Sequence, residues 1–509
     1  MPRSIAVGQD RRRAARSGPL AHRYWASAAM VVFALVPYLA LSAAIGPITP
    51  IIARQLHMSL QTMSLASGMG NAGYAVGTVL AVQFAMHLPQ RRMMLVYAVL
   101  LVLGCLLSAS AQGAAMFIAG HVLQGLSTSL LLIAAVPPLA LGFGAAKLRE
   151  TAVIMSMCIF GAVTAGPVIG GLQATAGGWR PLFWIIAGIA VAALVLAVLT
   201  YEYQPPADRA APWDFGATGF AAIGSVAAFW GASELLTHRF LGPWTIGPLL
   251  GGLAVIVILI VHQYQIQRPL LIIRPMLQST IPVAGIVIAL FAAAASVSAT
   301  SLTAALQANL YSPVHLGLLY LPELAGAILT AILLGLVITR WEMQLLPLIG
   351  MLFLAAGIGT LRIELPPSQT LTLIGSAITG IGLGATVAPA LFAAGFSLPS
   401  TNLQRVFAIV ELMRAVAAFM IAPVFAHFAA TVGGNLQTGT GIALWIGLAL
   451  ALAGAAAATA IYLLGGARPQ KPDIEGFMHG HSPAWHSPPL LANVRKALPE
   501  HAAKEPSAS

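Results

Sequence analysis

Pro181-Leu182-Phe183-Trp184-Ile185-Ile186-Ala187-Gly188-Ile189-Ala190-Val191-Ala192-Ala193-Leu194-Val195-Leu196-Ala197-Val198-Leu199-Thr200-Tyr201 runs without a single charge. A bilayer core of about 30 Å takes about 20 residues of α-helix, so this stretch reads as a membrane span. Outward from it the pattern repeats. Similar runs lie near residues 24–46, 62–86, 92–111, 115–141 and 150–174 on one side. On the other they lie near 214–236, 243–263, 280–306, 314–338, 344–361, 369–393, 405–430 and 441–464, which makes about fourteen spans. Break signals separate them, among them Leu88-Pro89-Gln90-Arg91-Arg92, Lys147-Leu148-Arg149-Glu150, Gln204-Pro205-Pro206 and Leu365-Pro366-Pro367. Backbone polar groups in hydrocarbon must be satisfied within their own segment, so the runs are helices and not open strands.

Composition agrees. Of 509 residues, 59% are hydrophobic and 8% charged, against about 25% charged in a water-soluble chain. That excludes a soluble enzyme, a disordered protein and a disulfide-stapled secreted domain, and makes the lipid bilayer the main surroundings. The net charge of +11 sits mostly in short segments between apolar runs, where it reads as topogenic charge rather than a nucleic-acid surface. With the N-terminus inside, the inner set is Arg11, Arg12, Arg13, Arg16, Arg23, Arg91, Arg92, Lys147, Arg149, Arg209, Arg268, Arg274, Arg340, Arg405, Arg468 and Lys471. The outer set is Arg54, Arg180, Arg239 and Arg362. Both termini are therefore expected in the cytoplasm and the protein in the inner membrane. The run 24–46 is too long for a cleaved secretory signal and leads into further spans. Cys105 and Cys158 lie inside apolar runs and give neither a disulfide framework nor a metal spacing. The tail 467–509, Pro-rich and carrying His479, His481, His486 and His501, is expected to be disordered and solvated, and no metal site is expected.

The fifth span contains Gly161-Ala162-Val163-Thr164-Ala165-Gly166-Pro167-Val168-Ile169-Gly170-Gly171, a Gly/Pro cluster of the kind that lets another membrane helix come close. Gly178-Trp179-Arg180-Pro181 follows at the outer boundary, and the fourth span reads His121-Val122-Leu123-Gln124-Gly125. Together these resemble the fourteen-span drug:proton antiporters of the major facilitator superfamily. Gly166, Pro167, Gly170 and Gly171 match that family's antiporter motif. Trp179-Arg180, Leu306-Gln307 before Ser312-Pro313, and Arg414 followed by small residues are similar to its other patterns. The resemblance implies an all-α fold of two six-helix bundles, residues 24–201 and 280–466, around a central cavity. It implies two extra spans within 202–279, behind a basic segment 1–23. It also implies a secondary transporter that exports small amphipathic or hydrophobic compounds against proton entry, by alternating access. A periplasmic adaptor protein is a partner by the same analogy.

The sequence departs from the family at three places. The loop after the second span reads Gln83-Phe84-Ala85-Met86-His87-Leu88-Pro89-Gln90-Arg91-Arg92 and keeps only the basic pair of the family's gating motif. Leu39-Ala40-Leu41-Ser42-Ala43-Ala44 lacks the first-span acid, and His121 stands where the family has an arginine.

Charge inside a bilayer costs about 3 kcal/mol on insertion scales, so each intramembrane charge is a functional hypothesis. Glu411 and Arg414 stand three apart and share a helical face, either as a structural ion pair or as a coupling site. Glu323, after Pro322, reads either as a buried proton-exchanging carboxyl or as a charge at the headgroups. His121 reads as a titratable partner or as a packing residue. Glu234, with His238 and Arg239 following, is expected at the interface. Tyr38, Ser42, Asn71, Tyr74, Gln124 and Gln307 are the polar side chains expected in a central cavity, although tyrosine and serine on membrane helices also bond the backbone. Gly73-x-x-x-Gly77 and Gly380-x-Gly382-x-Gly384 mark close helix contacts, and Pro137-Pro138 and Pro423 mark kinks. No nucleophile elbow, zinc helix or phosphate loop occurs. The expectation is a transporter with no cofactor, driven by an ion or solute gradient. Uptake or uniport of an organic solute, and a transporter-like scaffold that moves nothing, are the rival readings.

Overall fold

The computed structural model describes residues 18–201, 205, 206, 208, 210–480 and 482–497. Arg11, Arg12, Arg13, Arg16, Arg209, His481 and His501 lie outside the described residues. Among the described residues the structure is helical, with one isolated bridge between Ser279 and Pro489 and no strand. A helix stands at each stretch read as a span. In chain order these are α1 (Tyr24–Gln55), α2 (Leu60–His87), α3 (Gln90–Ala109), α4 (Ala114–Leu141), α5 (Ala145–Thr175), α6 (Arg180–Thr200), α7 (Phe215–Leu236) and α8 (Pro243–Gln265). Then come α9 (Thr280–Gln307), α10 (Pro313–Val337), α11 (Leu346–Arg362), α12 (Gln369–Phe396), α13 (Leu403–Thr431) and α14 (Leu436–Gly465).

Twelve helices among the described residues are long and apolar enough to cross a membrane. The two that fall outside that set are instructive. Helix α11 has 17 residues. Helix α2 is long, but Gln61, Thr62, Ser64, Ser67 and Asn71 dilute its first half. Helix α1 runs on to Gln55, beyond the expected end near 46, because Pro47 and Pro50 sit inside it without ending it. Pro137 and Pro138 likewise lie within an uninterrupted α4, and Pro423 within α13. Where a capping side chain precedes a helix it does the expected work: Ser59, Ser312, Ser368 and Asn435 each accept from a backbone N–H in the first turn of α2, α10, α12 and α14.

Packing sorts the helices. Within the first six, α1 packs on α4, α5 and α6, α2 on α4, and α3 on α4 and α6. Within the last six, α9 packs on α12, α13 and α14, α10 on α12, and α11 on α12 and α14. The most apolar window of α12 is 83% buried, that of α8 only 28%, so α12 is central and α8 peripheral. The side chains α8 leaves outside include Trp244, Leu250, Val257, Ile258 and Val261, and hydrocarbon is the solvent that tolerates such a surface. Helices α7 and α8 pack on each other, and α7 lies against α2.

Asp214 fastens that extra pair. Its Oδ1 accepts from Ala217 N at 2.8 Å and its Oδ2 from Gln263 Nε2 at 2.7 Å, while its own N–H donates to Gln83 Oε1 on α2 at 3.0 Å. Loss of the cap costs about 1 kcal/mol, and stranding the buried Gln263 amide adds about 1–3 kcal/mol. Asp214→Ala is therefore expected to melt in detergent several degrees below the wild type. Asp214→Asn, which keeps a capping oxygen, should fall between them; equal melting of all three would remove Asp214 from this role.

Contacts between the first six and the last six helices run the length of two seams. Along the α5–α10 seam, Gly171 abuts the Pro313 carbonyl near one end, Gly161 faces Leu324 midway, and Arg149 Nη2 donates to Thr339 Oγ1 at 3.4 Å near the other. Along the α2–α13 seam, Arg405 Nη2 donates to Met86 Sδ at 3.2 Å at the end where α1 begins. At the opposite end His427 Nδ1 lies 2.7 Å from the Leu235 carbonyl of α7. The two sets thus touch at both ends of the α5–α10 seam, while the far end of the α2–α13 seam is completed by α7 of the extra pair.

Candidate functional site

The middle of the α2–α13 seam holds a buried charge pair. Arg414 donates to Glu411 Oε2 through Nε at 2.9 Å and through Nη2 at 2.7 Å. Their three-residue spacing on α13 puts both on one face. The pair alone does not complete the cluster. Tyr74 of α2 donates its hydroxyl to the same Oε2 at 3.1 Å, and Arg414 Nη2 donates to that hydroxyl at 3.3 Å. The Glu411 side chain is 1% exposed. A lone charge at that depth would carry a desolvation cost of several kcal/mol, which the opposite charge and the hydroxyl offset. Glu411 Oε1 is left buried without a partner.

An aromatic chain leads from the pair into the first six helices. Phe419 sits edge-on to Tyr74 at 6.0 Å, and Tyr74 stacks on Tyr38 of α1 at 6.2 Å. Tyr38 donates to Asn71 Oδ1 at 3.1 Å and lies 5.6 Å from the His121 ring of α4, which stacks on Phe117 at 5.8 Å. His121 Nδ1 and both amide atoms of Gln124 are buried with no partner that meets hydrogen-bond geometry. The approach of α2 to α4 that makes this possible rests on Gly70 and Gly125: a Cβ at 125 would overlap the Gly70 carbonyl. Gly73 and Gly77 continue the same contact along α4.

The structure thus brings together Tyr38, Asn71, Tyr74, His121, Gln124, Glu411 and Arg414. Ser42, one turn from Tyr38, donates to the Leu39 carbonyl at 2.8 Å, the backbone bond its type permits. Two of the singled-out residues lie elsewhere. Gln307 is fully buried and occupied: its amide donates to Pro367 O at 2.8 Å and Thr372 Oγ1 at 2.7 Å, and accepts from Tyr320 at 3.0 Å. It braces α9, α10 and α12. Glu323 begins the second half of α10, after the break at Tyr320, and is 6% exposed. It has no ion pair or side-chain hydrogen bond among the described residues, and its own backbone is pressed by Gly380 of α12. Glu234 sits at the end of α7, where it accepts from Gln61 and Trp230 and pairs with His238 at 3.1 Å.

The glycine cluster of α5 lies where two helices meet it. A Cβ at Gly166 or Gly170 would overlap Ala43 or Ala44 of α1, and a Cβ at Gly171 would overlap the Pro313 carbonyl of α10. From the far side, Gly317 of α10 packs on Pro167. Trp179 is fully buried against Phe117 and Phe183, with the Arg180 guanidinium 4.6 Å above its ring.

The family model of the Major Facilitator Superfamily matches residues 31–304. The chain belongs to the major facilitator superfamily. It is a multi-pass membrane transporter and not an enzyme. An uncharacterized MFS-type transporter of Bacillus subtilis, YubD, is 26% identical over 434 residues, which are 82% of each chain. The multidrug resistance protein B homolog of Mycobacterium tuberculosis is 25% identical over 67% of this chain and 65% of its own. The tetracenomycin C resistance and export protein of Streptomyces glaucescens is 27% identical over 66% of this chain and 62% of its own. Among solved structures, the proton:xylose symporter XylE aligns with a TM-score of 0.59 at 12% identity over 85% of this chain and 94% of its own. The human organic anion transporter MFSD10 aligns with a TM-score of 0.60 at 12% identity over 86% and 99%. These two likenesses concern the superfamily fold.

Within this superfamily fold, one cavity lies away from the charge pair. It holds about 250 Å³ at the end where α1 begins and is lined by His22, Met30, Gln90, Pro138, Phe143 and Tyr201 among others. Gln90 and Pro138 line it, but none of Tyr38, Asn71, Tyr74, His121, Gln124, Glu411 and Arg414 does.

Proposed function

We propose that this transporter exports small amphipathic or hydrophobic compounds by proton antiport, with residues 24–201 and 280–466 as the two six-helix bundles that rock about the seam at Tyr74. The resistance and export proteins among its relatives support the direction and the substrate class. The observation that carries the coupling is the Tyr74–Glu411–Arg414 triad, because it joins the two halves through a titratable group. Protonating Glu411 breaks the pair, leaves Arg414 with Tyr74 alone, and so changes the relative energy of the closed and parted halves. Glu323, buried and without a counter-ion, is a second proton carrier, and His121, two aromatic rings from the pair, is the partner on the side of α4. Fourteen spans, cytoplasmic termini and an inner-membrane location belong to the same reading, which also leaves room for a periplasmic adaptor partner.

Right-side-out membrane vesicles loaded with a fluorescent cationic drug provide the test. Efflux that collapses with a protonophore and falls at least tenfold in Glu411→Gln or Glu323→Gln supports antiport, since about tenfold follows from losing 1.4 kcal/mol of coupling. Efflux indifferent to both the gradient and the two substitutions overturns it.

One observation favours a second reading. Helix α1 presents Tyr38 and Ser42 to the centre but no acid, which suits uncoupled movement of an organic solute. Counterflow in proteoliposomes without a pH gradient separates the two.

A further inference from the structure

The chain beyond α14 reads from sequence as a disordered tail, yet over the described residues 467–480 and 482–497 it is packed. Gly466, at φ 69°, turns it back under the bundle. Phe396, the last residue of α12, holds it twice. The Phe396 carbonyl accepts from Ala484 N at 2.8 Å and Trp485 N at 3.2 Å, and its ring lies 4.8 Å from Phe477 and 5.5 Å from Trp485. Phe477 is 1% exposed and Trp485 fully buried. The tail then caps α9: Thr280 N donates to Pro488 O at 3.0 Å and Ile281 N to Ser487 Oγ at 3.0 Å. Asn493 Nδ2 donates to Leu463 O of α14 at 2.9 Å. The tail groups thereby satisfy helix-end amides and carbonyls that have no partner within their own helix. Proline content and polarity signal none of this, because the partners are distant helix ends.

All of those anchors lie on α9, α12 and α14. The leading edge does not. The short helix Ile474–Met478 packs beside Ala145–Lys147, the turn that opens α5 in the first six helices. That is the face where Arg149 meets Thr339 and Arg405 meets Met86. It is also the face whose α2–α3 loop, Leu88-Pro89-Gln90, carries no acid to hold it shut.

We propose that residues 467–480 and 482–494 form a strap, fixed to the last six helices and butted against the 145–147 turn, so that this face opens only when the Ile474–Met478 edge parts from that turn. The strap rests on the alternating-access reading, and the closing experiment separates the two. Ala146 in the turn and Glu475 in the short helix are both exposed, the two elements pack together, and the native Cys105 and Cys158 are buried. In Ala146→Cys/Glu475→Cys, oxidation should form a disulfide in the full-length protein. Hydrogen exchange of residues 145–150 and 334–340, read in detergent with and without the disulfide, reports opening without any need for transport. The expected result is at least tenfold slower exchange in the oxidised form, reversed by reductant, and faster exchange in Trp485→Ala, on the arithmetic that exchange through opening scales with the open population. Failure of the disulfide to form, or exchange unchanged by it, overturns the strap. Should Trp485→Ala fail to fold, the disulfide arm, which leaves Trp485 in place, still decides. Absence of drug efflux from the reduced protein counts against the proposed function and leaves the exchange readout standing.

Discussion

Arg414→Ala is expected to abolish transport and to lower the melting temperature of the protein more than any other single change at the seam. The substitution leaves the Glu411 carboxylate 1% exposed, with Tyr74 as its one remaining donor. Breaking a buried pair by removing one partner costs about 3–5 kcal/mol. Removing both is different: Glu411→Leu/Arg414→Met puts apolar volume where the charges were, and such replacements are close to neutral or stabilising. The double variant should therefore melt near the wild type and still fail to export drug. Tyr74→Phe is the control for the bridge itself. It keeps the ring stacked on Tyr38 and deletes one hydroxyl, a loss of about 1 kcal/mol, so the fold persists while the link between halves is cut. Melting in detergent and efflux from vesicles, measured on all three, decide the matter. A double variant that transports would show that the pair is not a coupling site, and an Arg414→Ala protein as stable as the wild type that Glu411 is not a buried charge in need of its partner.

The sequence makes one half of this site readable and hides the other. Glu411 and Arg414 stand three apart on an apolar helix, and that spacing alone places them together. Tyr74 could be named only as a polar residue on a membrane helix, because its partner lies 337 residues away in the chain and no local pattern reports a contact between two packed halves. Gln307 has the same history with another outcome. Its polarity suggested a cavity, while its three bonds to Pro367, Thr372 and Tyr320 make it a brace. The helices themselves were legible nearly throughout, since the period and length of apolar runs are set by the bilayer rather than by tertiary contacts. Helix ends are less so: the apolar run of α1 ends near residue 46, yet the helix continues through Pro47 and Pro50 to Gln55. The tail is hidden for the converse reason. Its composition is that of a solvated segment, and only the helix ends it caps, with the Phe396 ring that Phe477 and Trp485 enclose, give it a fixed place.

Two neighbouring glycines of α5 should fail in opposite ways when enlarged. Gly170 faces the Ala44 carbonyl of α1, within the first six helices, and Gly171 faces the Pro313 carbonyl of α10, across the seam. A valine at 170 meets backbone that belongs to the same packed set. The helices can separate only by giving up contacts all along α1 and α5, and overpacking of this kind costs about 1–3 kcal/mol. Gly170→Val should therefore melt lower, with transport falling in proportion to folded protein. A valine at 171 meets a helix that has to come and go if the halves rock. Its cost falls only on the closed arrangement, so the first six helices keep their stability while the closed population drops. At about 1–3 kcal/mol that is a shift of about 5- to 150-fold against closure. Gly171→Val is expected to melt near the wild type, to export at a few per cent of the wild-type rate, and to expose the Pro313 end of the seam to hydrogen exchange. Gly171→Ala, with a single methyl, should fall between. Wild-type export by Gly171→Val would mean that α5 and α10 do not close on each other during transport, and the contact of Gly171 with Pro313 would then be packing alone.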